Sequence, residues 1–174
     1  MTRVYTIGHS NTSDDNLVGR LRRHGVRVLV DLRSKPFSRY NPQFNRYPLA
    51  EHLRKEAVPY IWLGHSLGGM PDDPSVTVRG RVDYDKVRAT EKYQKGLEDL
   101  LKGAALPEIN PMVLMCSEAD PLGCHRRRLV GADLVGRGFE LVHIMGDGSL
   151  QTEHQVRERA QENQPSAFDI FGSE

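Results

Sequence analysis

Cys116 and Cys124 are the only cysteines in the chain, and His125 and Arg126 follow directly after the second of them. A reduced thiol beside an imidazole is the minimum for covalent catalysis, because the base removes the sulfur's proton and the thiolate attacks an electrophile. Glu118 adds a carboxylate that can orient the imidazole or serve as acid/base. Either cysteine suits the role of nucleophile. Cys116 ends an apolar run, whereas Cys124 is read into the first turn of a helix, where the macrodipole and Arg126 favour a thiolate and predict a pKa below the free value of about 8.5. The plain alternative is that each free cysteine is a small buried hydrophobe.

The same residues admit two further chemistries. His9, Cys116, Glu118, Cys124, His125 and His143 offer the mixed N, S and O donors that zinc or iron accepts, although no C-x-x-C or H-E-x-x-H pair is present, so no cofactor is required. Arg33, Arg39, Arg46 and Arg126, with His9, Ser10 and Asp31, form an anion-binding set suited to phosphate or carboxylate. Asp31-Leu32-Arg33 also reads as an aspartate holding a loop. Tyr40, Phe44, Tyr47 and Trp62 lie near these arginines, either as stacking surfaces for bases or as core anchors. Gly68-Gly69 is most simply a turn, with close approach to a ligand as its other use.

These side chains fall at the ends of alternating elements. Val4 to Ile7 reads as a first strand stopped by Gly8, and a helix capped by Thr12 or Ser13 ends at Gly25. Val26 to Leu32 is a near-continuous apolar run of the kind buried on both faces of a parallel sheet. A polar loop from Arg33 to Tyr47 leads to a helix near Pro48, a strand over Val58 to Leu63 and an irregular segment from Gly64 to Val82. The spacing predicts one helix from Asp83 to Lys102, a strand over Pro111 to Cys116, a helix launched at Asp120-Pro121, and a last strand over Phe139 to Met145. The expected fold is α/β, with a mostly parallel sheet of about five strands and helices on both faces. Residues 1–150 form the domain, and 151–174 form a polar helix and tail in which Phe168, Ile170 and Phe171 stand ready for packing or a partner.

At 174 residues, with 38% hydrophobic and 27% charged, the chain has the make-up of a globular domain with a core of its own. No apolar run nears the roughly 20 residues of a membrane span, so no membrane partner is expected. No export signal is recognisable either, and the expected compartment is cytoplasmic with reduced thiols. The net charge of +1 conceals a division: residues 1 to 50 carry nine Lys/Arg and three Asp/Glu, a net of +6. Residues 51 to 174 are net acidic, which limits the footprint of a sequence-independent DNA binder.

Several segments, taken in order, resemble one family: Tyr5-Thr6-Ile7-Gly8-His9-Ser10-Asn11, Asp31-Leu32-Arg33 with Pro36, Ser38-Arg39 and Phe44, Leu67-Gly68-Gly69, Met115-Cys116-Ser117-Glu118, Cys124-His125-Arg126 and Val142-His143-Ile144. Over residues 3 to 146 the chain looks like the domain-of-unknown-function family 488. It departs from the usual family pattern at Leu32, where Val is common, and at Ser117, where Ala is common. The resemblance implies the fold and the site, not a reaction. The functional expectation is therefore a hydrolase or transferase that uses Cys116 or Cys124, His125 and Glu118 on a polar anionic small molecule or nucleic-acid component. The alternative is a non-catalytic nucleic-acid- or metal-binding module.

Overall fold

The computed structural model describes residues 2–162. In chain order its elements are β1 (Arg3–Gly8), α1 (Asp14–Arg23), β2 (Val28–Asp31), α2 (Arg46–Lys55), β3 (Tyr60–Trp62) and α3 (Gly64–Leu67), followed by the hairpin strands β4 (Thr77–Val78) and β5 (Arg81–Val82). Then come α4 (Tyr84–Arg88), α5 (Glu91–Ala104), β6 (Met112–Cys116), a π-helical turn Arg126–Gly131 that continues as α6 (Ala132–Val135), β7 (Glu140–Ile144), β8 (Leu150–Thr152) and α7 (Glu153–Glu162).

The main sheet has six strands in the order β3-β2-β6-β1-β7-β8. All neighbours run parallel except β8, which pairs antiparallel with β7. Alternation along each strand assigns its side chains to two cores. Tyr5, Ile7, Leu29, Val113, Met115, Val142 and Ile144 pack with Leu17, Leu21, Leu49 and Leu53 of α1 and α2. Val4, Val28, Val30, Met112, Leu114 and Leu141 pack with Leu97 and Leu100 of α5 and with Leu129, Val130 and Leu134 on the opposite face. Helices therefore cover both faces, which is why β6 is apolar throughout and β2 is apolar up to Asp31 at its end.

Helix α1 is capped by the Ser13 side chain, which accepts from the Asn16 amide, and Gly25 follows it with φ of +61°. Four expectations change. The helix placed over Asp83 to Lys102 is two helices, because Thr90 caps α5 with its own side chain and breaks the run. Asp120 does not launch a helix; its carboxylate accepts from the Leu122 amide in a local turn, and the helical segment starts only at His125. The segment from Gly64 to Val82 contains α3 and a hairpin turned by Arg79 and Gly80, both at positive φ. The sixth strand, Leu150–Thr152, pairs with β7 where the stretch read as a polar helix and tail begins, and the polar helix follows it as α7, packed on β7. Phe168, Ile170 and Phe171 lie outside the described residues.

Candidate active site

From β1 the chain crosses by α1 on one face, and from β6 it crosses by α6 on the other. Their carboxyl ends are thus the place where an open α/β sheet presents a crevice. Here the crevice is partly sewn shut. The His9 amide donates to the Cys116 carbonyl at 3.0 Å and the Ser10 amide to the Ser117 carbonyl at 2.9 Å, extending the ladder past both strands. A Cβ on Gly8 would meet the Glu118 carbonyl oxygen at 1.8 Å, so only glycine lets that loop cross.

On the α5/α6 side of the sheet, three buried groups converge. The Sγ atoms of Cys116 and Cys124 and a ring nitrogen of His125 all lie within 4.8 Å of one another. Cys116 Sγ is 3.5 Å from His125 Nδ1, and His125 Nε2 is 3.0 Å from the carbonyl oxygen of Leu32. A carbonyl only accepts, so Nε2 carries the hydrogen and the Nδ1 lone pair of the neutral ring faces Cys116. The ring is held there by shape as well: a Cβ on Gly69 would lie 2.5 Å from His125 Cγ, and one on Gly68 would lie 2.2 Å from Ser34 Oγ. Neither glycine has positive φ, so the pair serves close packing and not the turn geometry expected of it.

The two thiols are not equivalent. The Cys116 thiol is held below the usual range because the Cys124 thiol donates to it, with the nearby Arg126 charge and the Glu118 and Ser117 amides adding to the effect. The Cys124 thiol is pushed well up, because its proton serves that hydrogen bond and burial penalises its ionised form. This corrects the expectation of a low-pKa Cys124: it sits just before the helical segment, fully buried, and the stabilising donors point at Cys116.

A cavity of about 180 Å³ opens over this group, and its wall includes Arg33, Lys35, Gly69, Tyr84, Cys116, Glu118 and His125. Glu118 is exposed there at the rim, beside Ser117. Lys35 and Tyr84 were not singled out in the sequence, and nothing in their spacing could have done so, since they arrive from a loop and from α4.

Other candidates have their polar groups committed to bonds within the protein or lie away from the cavity, although Arg33 also borders it. The Arg126 guanidinium is wholly buried and donates from beneath to Thr6 Oγ1 and to the carbonyls of Glu118 and Ala119, so it holds the loop after β6 instead of facing a substrate. Arg33 is likewise committed: Nε and Nη2 donate to the Asp31 carboxylate at 2.6–3.1 Å, Nη2 also donates to the Phe44 carbonyl, and Nη1 reaches His9 Nε2. Tyr60 adds a fourth tie by donating to Asp31 at 2.6 Å. His9 donates from Nδ1 to the Ser10 carbonyl, stacks on Phe44 with ring centres 4.3 Å apart, and is pushed down to about 4 by burial and the Arg33 charge. Arg33, Asp31 and His9 therefore form a sealed network on the α1/α2 side. Ser10 is half-buried in the turn beside it, and Arg39 is exposed on the following loop.

The metal set changes for the same reason. His9 is on the wrong face, and His143 bonds Thr6 Oγ1 at 2.7 Å and Glu153 at 3.1 Å, which leaves Cys116, Cys124 and His125 as the donors that meet. Glu153 opens α7 and also accepts from Arg127 and Arg157. It was overlooked because it lies in the stretch read as a polar helix and tail, outside the domain of residues 1–150. Among the described residues no helix is long and apolar enough to cross a membrane.

No curated protein and no solved structure shows significant similarity to the chain. A family model, described as domain of unknown function DUF488, matches residues 13–132, which include both cysteines, His125 and the Asp31–Arg33 pair. The match begins just after the His9 turn and ends before His143. Covering more than half of its length, that match makes the chain a member of the DUF488 family.

Proposed function

We propose that the protein is an enzyme of the hydrolase or transferase kind that uses Cys116 as a nucleophile on a polar anionic substrate, such as a nucleotide or nucleic-acid component. The observation that carries this reading is the bond from His125 Nε2 to the Leu32 carbonyl, which turns the basic Nδ1 toward the Cys116 sulfur. The Cys116 proton passes to Nδ1, and the thiolate attacks the electrophilic centre. The imidazolium then returns that proton to the leaving group, and water or a second acceptor releases the covalent intermediate. Cys124 holds the thiolate by donating its own S–H. Glu118 at the rim assists the leaving group, and the Lys35 amine attracts the anionic substrate.

A second reading is favoured by the convergence of two sulfurs and one ring nitrogen. Cys116, Cys124 and His125 would hold zinc as a Cys₂His set, where the ion would supply Lewis acidity, and a backbone carbonyl such as that of Leu32 is the usual outer partner of a ligating imidazole.

One experiment separates the two. Alkylation by iodoacetamide, followed by mass spectrometry, is expected to label Cys116 in the native protein at about pH 6–7 while Cys124 stays unlabelled until the chain unfolds. Two thiols inert in the native state, with no metal detected, would refute covalent catalysis. Labelling that begins only after a chelator removes stoichiometric zinc would select the metal centre instead.

A further inference from the structure

We infer that the loop Arg33–Tyr47, together with Trp62, is a docking surface for single-stranded nucleic acid. This goes beyond the thiol chemistry and stands without it, because it rests on different residues outside the cavity.

Exposed aromatic rings are concentrated here. Phe37 is 70% exposed, Tyr40 94% and Tyr47 80%, all within one connection and the first turn of α2. Single exposed apolar side chains need no explanation, but three large exposed rings within eleven residues of the chain do. Nor is the loop slack. The Ser38 amide donates to Asn45 Oδ1 at 2.6 Å, the Asn41 amide to Ser38 Oγ at 3.1 Å, the Arg46 amide to the Pro36 carbonyl at 3.0 Å, and Trp62 Nε1 to the Arg33 carbonyl at 2.9 Å. Backbone and polar side chains thus hold the loop in place while the rings face water, so little further ordering is needed for a ligand to stack on them.

Charge selects the occupant. Residues 32 to 50 contain Arg33, Lys35, Arg39 and Arg46 and no Asp or Glu. Arg33 is neutralised by Asp31, but Arg39 is exposed, and the Arg46 guanidinium lies 4.2 Å from the centre of the Trp62 ring and 5.8 Å from that of Tyr47. Lys35 is paired with Asp72 at 3.1 Å, which leaves Arg39 and Arg46 as the cations among the rings, and rings interleaved with such cations match a strand that offers bases to stack and phosphates to neutralise. A protein partner would also use aromatic rings and arginine, but nothing in this stretch favours one over a polyanion. Duplex nucleic acid keeps its bases stacked on one another, which leaves rings on a loop nothing to stack on. Lys35 belongs both to this loop and to the cavity wall, so a strand lying on the rings has its phosphates beside the cavity mouth.

The test is fluorescence anisotropy of the full chain with a labelled oligothymidylate and an oligouridylate of about a dozen nucleotides each, a length within the usual range of single-strand sites. Binding is expected to weaken as salt rises from ~50 to ~200 mM, with a slope of roughly −0.7 per engaged cation, and Arg39→Ala is expected to flatten that slope. Phe37→Ala and Tyr40→Ala are each expected to weaken binding by roughly 5- to 150-fold, the equivalent of about 1–3 kcal/mol per stacked base. All three positions are exposed, so the variants should keep the wild-type melting temperature, and Cys116 alkylation should proceed at the wild-type rate. No binding at low salt would overturn the inference. So would binding that the ring variants leave intact, equal affinity for duplex, or self-association of the wild type that the same variants abolish.

Discussion

The carboxyl rim of the sheet carries two clusters of similar residue types on opposite faces, and they behave in opposite ways. On the α1/α2 side, Asp31, Arg33, His9 and Tyr60 bind one another so completely that the ion pair is closed to solvent. On the α5/α6 side, Cys116 and His125 face each other beneath an open cavity, with a base lone pair and a lowered thiol still available. The lesson is that charge at a strand end does not by itself indicate chemistry. A buried ion pair whose donors and acceptors are all taken stabilises a loop, and reactivity belongs to groups whose partners leave one valence free.

The comparison is broken most severely by removing a partner from the sealed side. Asp31→Ala strands the Arg33 guanidinium in the interior, and a loss of about 3–5 kcal/mol is expected in urea unfolding. Glu118→Gln, at the exposed rim of the open side, is expected to stay within about 0.5 kcal/mol of wild type. Equal stabilities for the two variants would show that the sealed network is not what holds the rim.

Acid should also act on the sealed side. His9 is pushed from 6.5 to about 4, so between those values the unfolded chain takes up a proton that the folded chain refuses. Stability is then fully present above the unfolded value and falls as pH drops toward 4, by about 3 kcal/mol. Urea midpoints across that window, compared with those of His9→Gln, isolate the contribution. A variant that loses stability as steeply as wild type would assign the acid sensitivity to other groups.

The smallest effect sharpens the open side. A methyl at Gly69 would overlap the His125 ring, and Gly69→Ala is expected to cost about 1–3 kcal/mol and to raise the pH at which Cys116 alkylates, because Nδ1 is pushed off the sulfur. Gly19→Ala, where nothing lies within 4 Å of the added methyl on an exposed turn of α1, should instead stabilise by about 0.5–1 kcal/mol. An unchanged alkylation profile in Gly69→Ala would detach the glycine pair from the positioning of His125.

Much of the fold was legible because its determinants are local. The apolar run from Val28, the Ser13 cap, Gly25 at positive φ and the alternation of strand and helix each express a short-range constraint, and together they gave the parallel sheet with both faces covered. The break at Thr90 was missed because each side of it has its own helical spacing, Tyr84 with Val87 and Tyr93 with Leu97, although the six-residue step from Val87 to Tyr93 does not continue one apolar face. The antiparallel β8 was missed because Leu150, Gln151 and Thr152 make a strand only by pairing with β7.

The chain's own order of residues determined that thiols, imidazoles and guanidinium groups would arrive at one rim, since every parallel strand delivers its following loop to the same end. It carried no information about which groups would meet there. Asp31 and Cys116 both end strands, but the pleat sends Asp31 to the α1/α2 face and Cys116 to the other, and this separates a structural salt bridge from a nucleophile. Only the tertiary structure decided that Arg126 lies under the loop and Lys35 lies in the cavity. It likewise decided that the Cys124 thiol keeps its proton and turns it toward Cys116, because each of these outcomes depends on distances between residues far apart in sequence or on the path of a single loop.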